Sequence, residues 1–251
     1  MAVKRTNISY ADFSGSDLNF AVGCTPCSIE CENCYARALI ARFGGDPGVV
    51  RVSTKKLERI VTADFPGARL PAGAPFRRGD GSRPLAFVCD MSDLFHADVP
   101  DQVIVRAFQV FKYRQDVDWL VLTKRPERAQ HLLPGAQPWT RNIWFGVTVG
   151  HPTSMRRLLD LRDTPAVVKW VSVEPMLAPL DLRPYLPWLS WVACGGESGP
   201  NRRPFDVAWA RDLRDQCNVA QVPFFYKQGS GMYPGTDPMI DGVMYREFPT
   251  V

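Results

Sequence analysis

The chain has 251 residues, 45% of them hydrophobic and 22% charged, an ordinary composition that is sufficient for a sizeable core. Its net charge of +4 and pI of about 8.7 are mildly basic, which suits a nucleic-acid or phosphorylated substrate without being diagnostic of one. No apolar run approaches the length of a membrane span, and the first residues lack the apolar core of a signal peptide, so we expect a cytoplasmic protein.

The first part of the chain predicts a strand, a cysteine-rich loop and a helix. Residues 1–18 are polar and are predicted to lie on the surface, and residues 18–22 predict a short strand that leads into the cysteines. Residues 36–43 are strong helix formers that end at a pair of glycines. Residues 46–82 are rich in Gly, Pro and Arg and predict an irregular insertion, with a further strand near Arg51.

Six apolar runs alternate with helical patterns over the rest of the chain. The runs are 85–89, 119–122, 143–147, 168–173, 191–194 and 222–226. Strands that are so continuously apolar are buried on both faces, as in parallel sheets, and the intervening helices predict βα units. With the strand before the cysteines there are seven strands, and the one near Arg51 makes eight. We therefore predict one α/β domain over residues 1–251, a complete or partial parallel (β/α) barrel of the TIM type, with a doubly wound open sheet as the alternative.

Four of the seven cysteines lie within eleven residues. They are Cys24, Cys27, Cys31 and Cys34. Without a secretory signal, such a cluster indicates a metal site rather than a disulfide framework. Thiolates this close in sequence are typical ligands of an iron–sulfur cluster, either a catalytic one or a four-thiolate cluster for electron transfer or structure. A four-thiolate zinc site is the other alternative, although its two cysteine pairs are usually further apart.

Polar residues follow the apolar runs at the points where the strands end. They are Asp90, Ser92, Asp93, Lys124, Arg125, Thr148, Glu174, Glu197, Lys227 and Gln228. In barrels and open sheets the carboxyl ends of the strands form one face, where active sites lie. We therefore expect these residues to surround a mouth that the cysteine loop also faces. For any one of them, a solvated strand end or an internal salt bridge is the alternative.

The remaining cysteines and one histidine have simpler interpretations. Cys89 and Cys194 lie in apolar runs and Cys217 lies in a predicted helix, so we expect three buried structural thiols. His96 is a candidate acid or base, with a surface histidine as the alternative.

The spacing Cys27-x3-Cys31-x2-Cys34 resembles the motif of radical S-adenosylmethionine enzymes. Those enzymes hold a [4Fe–4S] cluster with three thiolates, so that the fourth iron stays open for the amino and carboxylate groups of S-adenosylmethionine. An electron from the cluster then cleaves the sulfonium and releases a 5′-deoxyadenosyl radical. Asn33 stands where radical enzymes commonly have an aromatic residue.

A longer set of motifs is similar to an uncharacterised family of bacteriophage and bacterial proteins with a three-cysteine motif, which is regarded as radical-S-adenosylmethionine-like. The motifs lie at 23–25, 31–36, 91–96, 122–128, 173–175, 195–200 and 223–228. The family triplet corresponds here to Cys24, Cys31 and Cys34, and Cys27 is an additional cysteine. The two patterns therefore name different first ligands, and we favour Cys24 because this resemblance is the longer one. A phage protein would act in the host cytoplasm.

Two functions follow from these observations. The first is a radical S-adenosylmethionine enzyme with nucleic acid or a nucleotide as its expected substrate class. In this scheme, backbone around Gly195 and Gly196, with Glu197, Glu174 or Lys124, contacts the cofactor or substrate. The alternative is a non-catalytic [4Fe–4S] protein that binds a protein or nucleic-acid partner. There all four cysteines are ligands, and the fourth thiolate closes the open iron.

Overall fold

A computed structural model describes residues 2–65, 83–135 and 139–250. The second half of the predicted insertion, residues 66–82, lies outside the described residues. None of the helices within the described ranges combines the length and the apolar character that crossing a bilayer requires.

The main sheet has six parallel strands in sequential order, which curl into a half-barrel. The strands are β3 (Leu85–Phe87), β4 (Asp118–Thr123), β5 (Ile143–Thr148), β6 (Val168–Val173), β7 (Trp191–Gly195) and β8 (Phe224–Gln228). All neighbouring pairs are parallel, so the carboxyl ends of all six strands lie at one edge. The predicted fold class is confirmed in its partial-barrel form.

The first two strands do not join this sheet. β1 (Ala21–Val22) pairs with β2 (Arg51–Val52), and the pair is antiparallel and forms a separate two-stranded sheet. The prediction of seven or eight parallel strands is therefore wrong for these two. A run of two or three apolar residues predicts extended backbone, but it carries no information about the partner strand.

Six α-helices accompany the strands in the described residues. They are α1 (Tyr35–Arg42), α2 (Thr54–Ile60), α3 (Asp101–Tyr113), α4 (Pro126–Leu132), α5 (Arg156–Arg162) and α6 (Val207–Ala220). Helices α3 to α6 connect successive strands of the main sheet, except that a short 3-10 turn, Leu186–Trp188, stands between β6 and β7. Helix α1 thus lies within one residue of its predicted bounds, and α3 to α6 are helices expected between the apolar runs.

Alternate residues of each strand pack on opposite faces of the sheet. One face joins the helices in the larger core. The inner face carries Trp144, Trp170 and Trp191, and the segment around Tyr10 packs against it. Tyr10 is 4% exposed and its ring lies 5.8 Å from that of Trp191, so the prediction that residues 1–18 lie on the surface is wrong. Residues 1–18 are polar overall, so their composition did not indicate that a few aromatic residues close the half-barrel.

Candidate functional site

The cysteine loop, residues 23–34, begins at a residue that has to be glycine. Gly23 has φ of +100°, and a Cβ atom there would lie 2.2 Å from the carbonyl oxygen of Val49. Its own carbonyl accepts a 2.6 Å hydrogen bond from Ser92 Oγ, just beyond β3. The chain therefore leaves β1 and turns across the carboxyl ends of the main sheet.

One cavity, of about 230 Å³, lies between this loop and the strand ends. The structure places all ten predicted strand-end residues around it, together with Cys24, Cys31, Cys34 and Gly196. Gly195, by contrast, does not line the cavity. A Cβ atom on Gly196 would lie 2.7 Å from the backbone nitrogen of Ser230, so the backbone packing beyond β8 accounts for this glycine.

Cys27 lies outside this cavity and opens onto a second pocket with Lys124, Arg156 and Glu127. The neighbouring thiols of Cys27 and Cys31 interact, which lowers the pKa of Cys31 and raises the pKa of Cys27. Within the described ranges, no three His, Cys, Asp or Glu side chains are placed to hold a single metal ion.

The first end of the loop is held by side chains that follow β3 and β4. Arg125 Nη2 donates to the carbonyl oxygen of Thr25 at 2.8 Å, and Arg125 Nη1 lies 3.6 Å from Cys24 Sγ. His96 Nε2 and Thr25 Oγ1 are 2.7 Å apart. His96 is only 4% exposed, so the expectation of a surface histidine is wrong. Burial and the Asp93 carboxylate raise the pKa of Cys24, and the Arg125 guanidinium opposes them.

The middle of the loop is held by Glu30, a buried carboxylate. It accepts a 3.1 Å hydrogen bond from the backbone nitrogen of Gly150 and lies 3.5 Å from Arg157 Nη1. Burial opposes its charged form, but hydrogen bonds from Ser154, Ser28 and the backbone outweigh burial and lower the pKa of Glu30 to about 2. Glu30 therefore holds the loop against the end of β5 as a buried anion.

The second end of the loop is held from β7. Asn33 donates to Glu197 Oε2 at 3.0 Å and to the carbonyl oxygen of Asn201 at 2.7 Å. Arg203 binds the same Glu197 carboxylate through its side chain and its backbone nitrogen. Burial is outweighed by these donors, and the pKa of Glu197 is lowered. Asn33 thus makes a polar contact where radical enzymes commonly have an aromatic side chain.

Four buried side-chain oxygens around the cavity have no hydrogen-bond partner among the described residues. They are Glu30 Oε2, Asp90 Oδ1, Thr148 Oγ1 and Glu174 Oε1. The other Glu174 oxygen accepts from Lys227 Nζ at 2.6 Å, and that ammonium also lies 5.3 Å from the centre of the Tyr10 ring. A buried hydrogen-bond acceptor without a partner costs free energy. The part of the cavity that these oxygens form, the cavity floor, is therefore suited to a ligand that presents hydrogen-bond donors.

The sequence predictions did not include Tyr10, Glu30 or Arg203. Glu30 lies between the cysteines in the sequence, and a carboxylate at that position was the sequence signal that could have identified it. Arg203 and Tyr10 reach the site only through the fold, because residues more than 150 positions away from the cysteines or on a terminal segment give no local pattern. The three other cysteines, Cys89, Cys194 and Cys217, are buried, as predicted.

Comparison with known proteins gives one family and one fold. The model of the family described as "Protein of unknown function (DUF5131)" matches residues 5–247. No curated protein matches the chain. A cysteine-to-serine mutant of spore photoproduct lyase is 14% identical, with a TM-score of 0.53 over 92% of this chain and 78% of that one. Spore photoproduct lyase complexed with dinucleoside spore photoproduct is 12% identical, with a TM-score of 0.51 and the same coverage. The shared feature is the fold, a partial parallel α/β barrel.

Proposed function

The chain belongs to the DUF5131 family, and on that premise we propose that it is a radical S-adenosylmethionine enzyme with a [4Fe–4S] cluster held by Cys24, Cys31 and Cys34. The observation that carries the proposal is the division of the four thiols. Three line the cavity at the carboxyl ends of the sheet, and Cys27 opens onto a different pocket. Three thiolates leave one iron open, and a cluster of this kind supplies an electron that cleaves S-adenosylmethionine to a 5′-deoxyadenosyl radical.

The residues of the cavity fit both groups. The donor set for the cluster is made of thiols, which are its usual ligands. S-Adenosylmethionine presents an ammonium group and ribose hydroxyls as donors, and the cavity floor offers the unpaired oxygens of Asp90, Thr148 and Glu174. Among the described residues, the Lys124 ammonium forms no hydrogen bond or ion pair, so it is available to a carboxylate or a phosphate.

We assign different tasks to the predicted binding residues. Glu174, held by Lys227, and Lys124 contact the cofactor or substrate directly. The backbone of Gly196 forms part of the wall, and Gly195 supports it from the end of β7. Glu197 orients the cysteine loop through Asn33. The loop, lying over the strand ends, limits the access of water to the cavity.

The proposed substrate class is nucleic acid or a nucleotide. The cavity contains the cationic side chains of Lys124, Arg125 and Lys227, which suit phosphate groups. The net charge is +4, and one protein of this fold has been solved with a dinucleoside ligand. The narrower kinship with a bacteriophage three-cysteine family and a cytoplasmic location, where thiolates stay reduced, belong to the same proposal.

The alternative function is a non-catalytic [4Fe–4S] protein with four thiolate ligands. The interaction between the thiols of Cys27 and Cys31 favours it, because the fourth thiol then lies beside a ligand of the triplet. A fourth thiolate on the cluster closes the iron that S-adenosylmethionine needs.

The test starts from protein purified without oxygen. We expect about four irons and matching sulfide per chain, the content of one [4Fe–4S] cluster. After reduction with dithionite, S-adenosylmethionine should change the electron paramagnetic resonance spectrum of the cluster, and 5′-deoxyadenosine should appear in the mixture. The Cys27→Ala variant should behave in the same way. An intact cluster with neither response would support the four-thiolate protein, and zinc without iron would refute both functions.

A further inference from the structure

The Arg125 guanidinium joins a buried carboxylate to the first cysteine of the loop. Its Nη1 atom lies 3.1 Å from Asp93 Oδ2 and 3.6 Å from Cys24 Sγ, and its Nη2 atom lies 2.8 Å from the carbonyl oxygen of Thr25. Only 15% of the Arg125 side chain is exposed. Among the described residues, this is the charged donor that hydrogen-bonds to a thiol of the run.

The Arg125 guanidinium is held in place by the Asp93 carboxylate, which is itself fixed by hydrogen bonds. Asp93 is 6% exposed and accepts hydrogen bonds from Thr123 Oγ1 at 2.7 Å, from the backbone nitrogen of Phe95 at 2.9 Å and from that of Lys124 at 2.9 Å. A carboxylate that accepts this many hydrogen bonds is fixed in direction. It therefore aligns Arg125 towards Cys24, as an outer partner orients a metal ligand.

The same arrangement gives a role to further residues of two sequence motifs. Asp93 and His96 come from the motif that follows β3, and Arg125 comes from the one that follows β4. His96 holds Thr25 Oγ1 at 2.7 Å, so both motifs meet on the Cys24–Thr25 pair. Neither motif makes an equivalent contact with Cys27.

We propose that Arg125 is a positioning residue that raises the reduction potential of the cluster by donating a charged hydrogen bond to the Cys24 thiolate. This inference rests on the proposed function, since it requires a cluster on Cys24. Reduction adds one electron from an external one-electron donor to the cluster and breaks no bond. The more negative reduced cluster gains more from a nearby cation and hydrogen bond than the oxidised cluster does.

The experiment measures the midpoint potential of the cluster without S-adenosylmethionine, by redox titration followed with electron paramagnetic resonance. The variants are Arg125→Gln, which removes the charge, and Arg125→Lys, which keeps it without the two-pronged geometry. Arg106→Gln is the matched control, because Arg106 pairs with Glu58 on the exposed contact between α2 and α3. Iron and sulfide are measured for each variant.

We expect a cluster in all four proteins. The potential should fall to a more negative value in Arg125→Gln, fall less in Arg125→Lys and stay unchanged in Arg106→Gln. An unchanged potential in Arg125→Gln with a full cluster would overturn this inference alone and leave the proposed function standing. Equal loss of iron in both Arg125 variants would also overturn it, since the residue would then be only structural. Wild-type protein without a cluster would instead refute the proposed function, and this inference with it.

Should Arg125→Gln fail to fold, Asp93→Glu tests the alignment of the guanidinium without changing any charge. The longer side chain displaces the carboxylate that orients Arg125, so the potential should again become more negative. An Asp93→Glu cluster with the wild-type potential would contradict the inference.

Discussion

The two ends of the cysteine loop are both held by the sheet, but by contacts of different kinds. At the first end a cation donates to the thiol of Cys24 itself. At the second end the contacts are made by Asn33, beside Cys34, which hydrogen-bonds to Glu197 and to the backbone of Asn201. The first arrangement affects the charge of the Cys24 thiol, whereas the second fixes the position of the loop backbone.

Cys27, between the two ends, has neither kind of contact with the sheet. It is exposed, and its thiol interacts with that of Cys31 within the loop. This difference predicts that substitutions along twelve consecutive residues will have very unequal effects. The four predictions below test that ordering, from the largest expected effect to the smallest.

The largest effect is expected from Cys31→Ala, with Cys24→Ala and Cys34→Ala close behind it. Each removes a thiolate of the triplet, so the iron content should fall from about four per chain to near zero. Iron and sulfide analysis of anaerobically purified protein measures this. A full cluster in Cys31→Ala would exclude every ligand set considered for this chain.

Glu30→Ala should have the next largest effect. It leaves the Gly150 backbone nitrogen without an acceptor and Arg157 without its carboxylate, and breaking a buried ion pair in this way costs on the order of 3 kcal/mol. Urea unfolding under anaerobic conditions gives the value. Glu32→Ala is the control from the same loop, where the carboxylate is 61% exposed, and it should cost less than about 1 kcal/mol. Equal costs for the two would show that Glu30 does not hold the loop.

Asn33→Ala removes a hydrogen bond to a charged carboxylate, and we expect a loss of about 1.5 kcal/mol of unfolding free energy. The matched control is Asn201→Ala, because Asn201 takes part through its backbone carbonyl, which the substitution retains. That control should stay within about 0.5 kcal/mol of wild type. A cost for Asn201→Ala as large as that for Asn33→Ala would contradict the described contact.

The smallest effect is expected for Cys27→Ala. The thiol is exposed and lies outside the cavity, so stability should change by about 0.5 kcal/mol or less and the iron content should match wild type. Iron loss as complete as in Cys31→Ala would make Cys27 a fourth ligand and favour the binding protein over the enzyme.

The sequence predicted the main sheet and the edge at which the site lies because each of these follows from a local pattern. Six apolar runs ended in polar residues, and parallel pairing alone brings residues such as Asp90, Lys124 and Glu174 together. The partner of β1 and the burial of Tyr10 were predicted wrongly, since both depend on which distant segments meet. The contacts of Arg125 with Cys24 and of Asn33 with Glu197 could not be predicted for the same reason. They join residues 101 and 164 positions apart.

The distance in sequence between Asn33 and Glu197 also bears on the synthesis of the protein. Asn33, next to the last thiol of the loop, leaves the ribosome 164 residues before Glu197, whose carboxylate holds the second end of the loop. At the usual speeds of translation this interval lasts roughly ten to thirty seconds. During this interval the four cysteines lie on a segment of the nascent chain whose packing partners have not all been synthesised. For the proposed cluster, the delivery of iron and sulfide and the protection of the thiols from oxygen would therefore have to be timed to the completion of the chain.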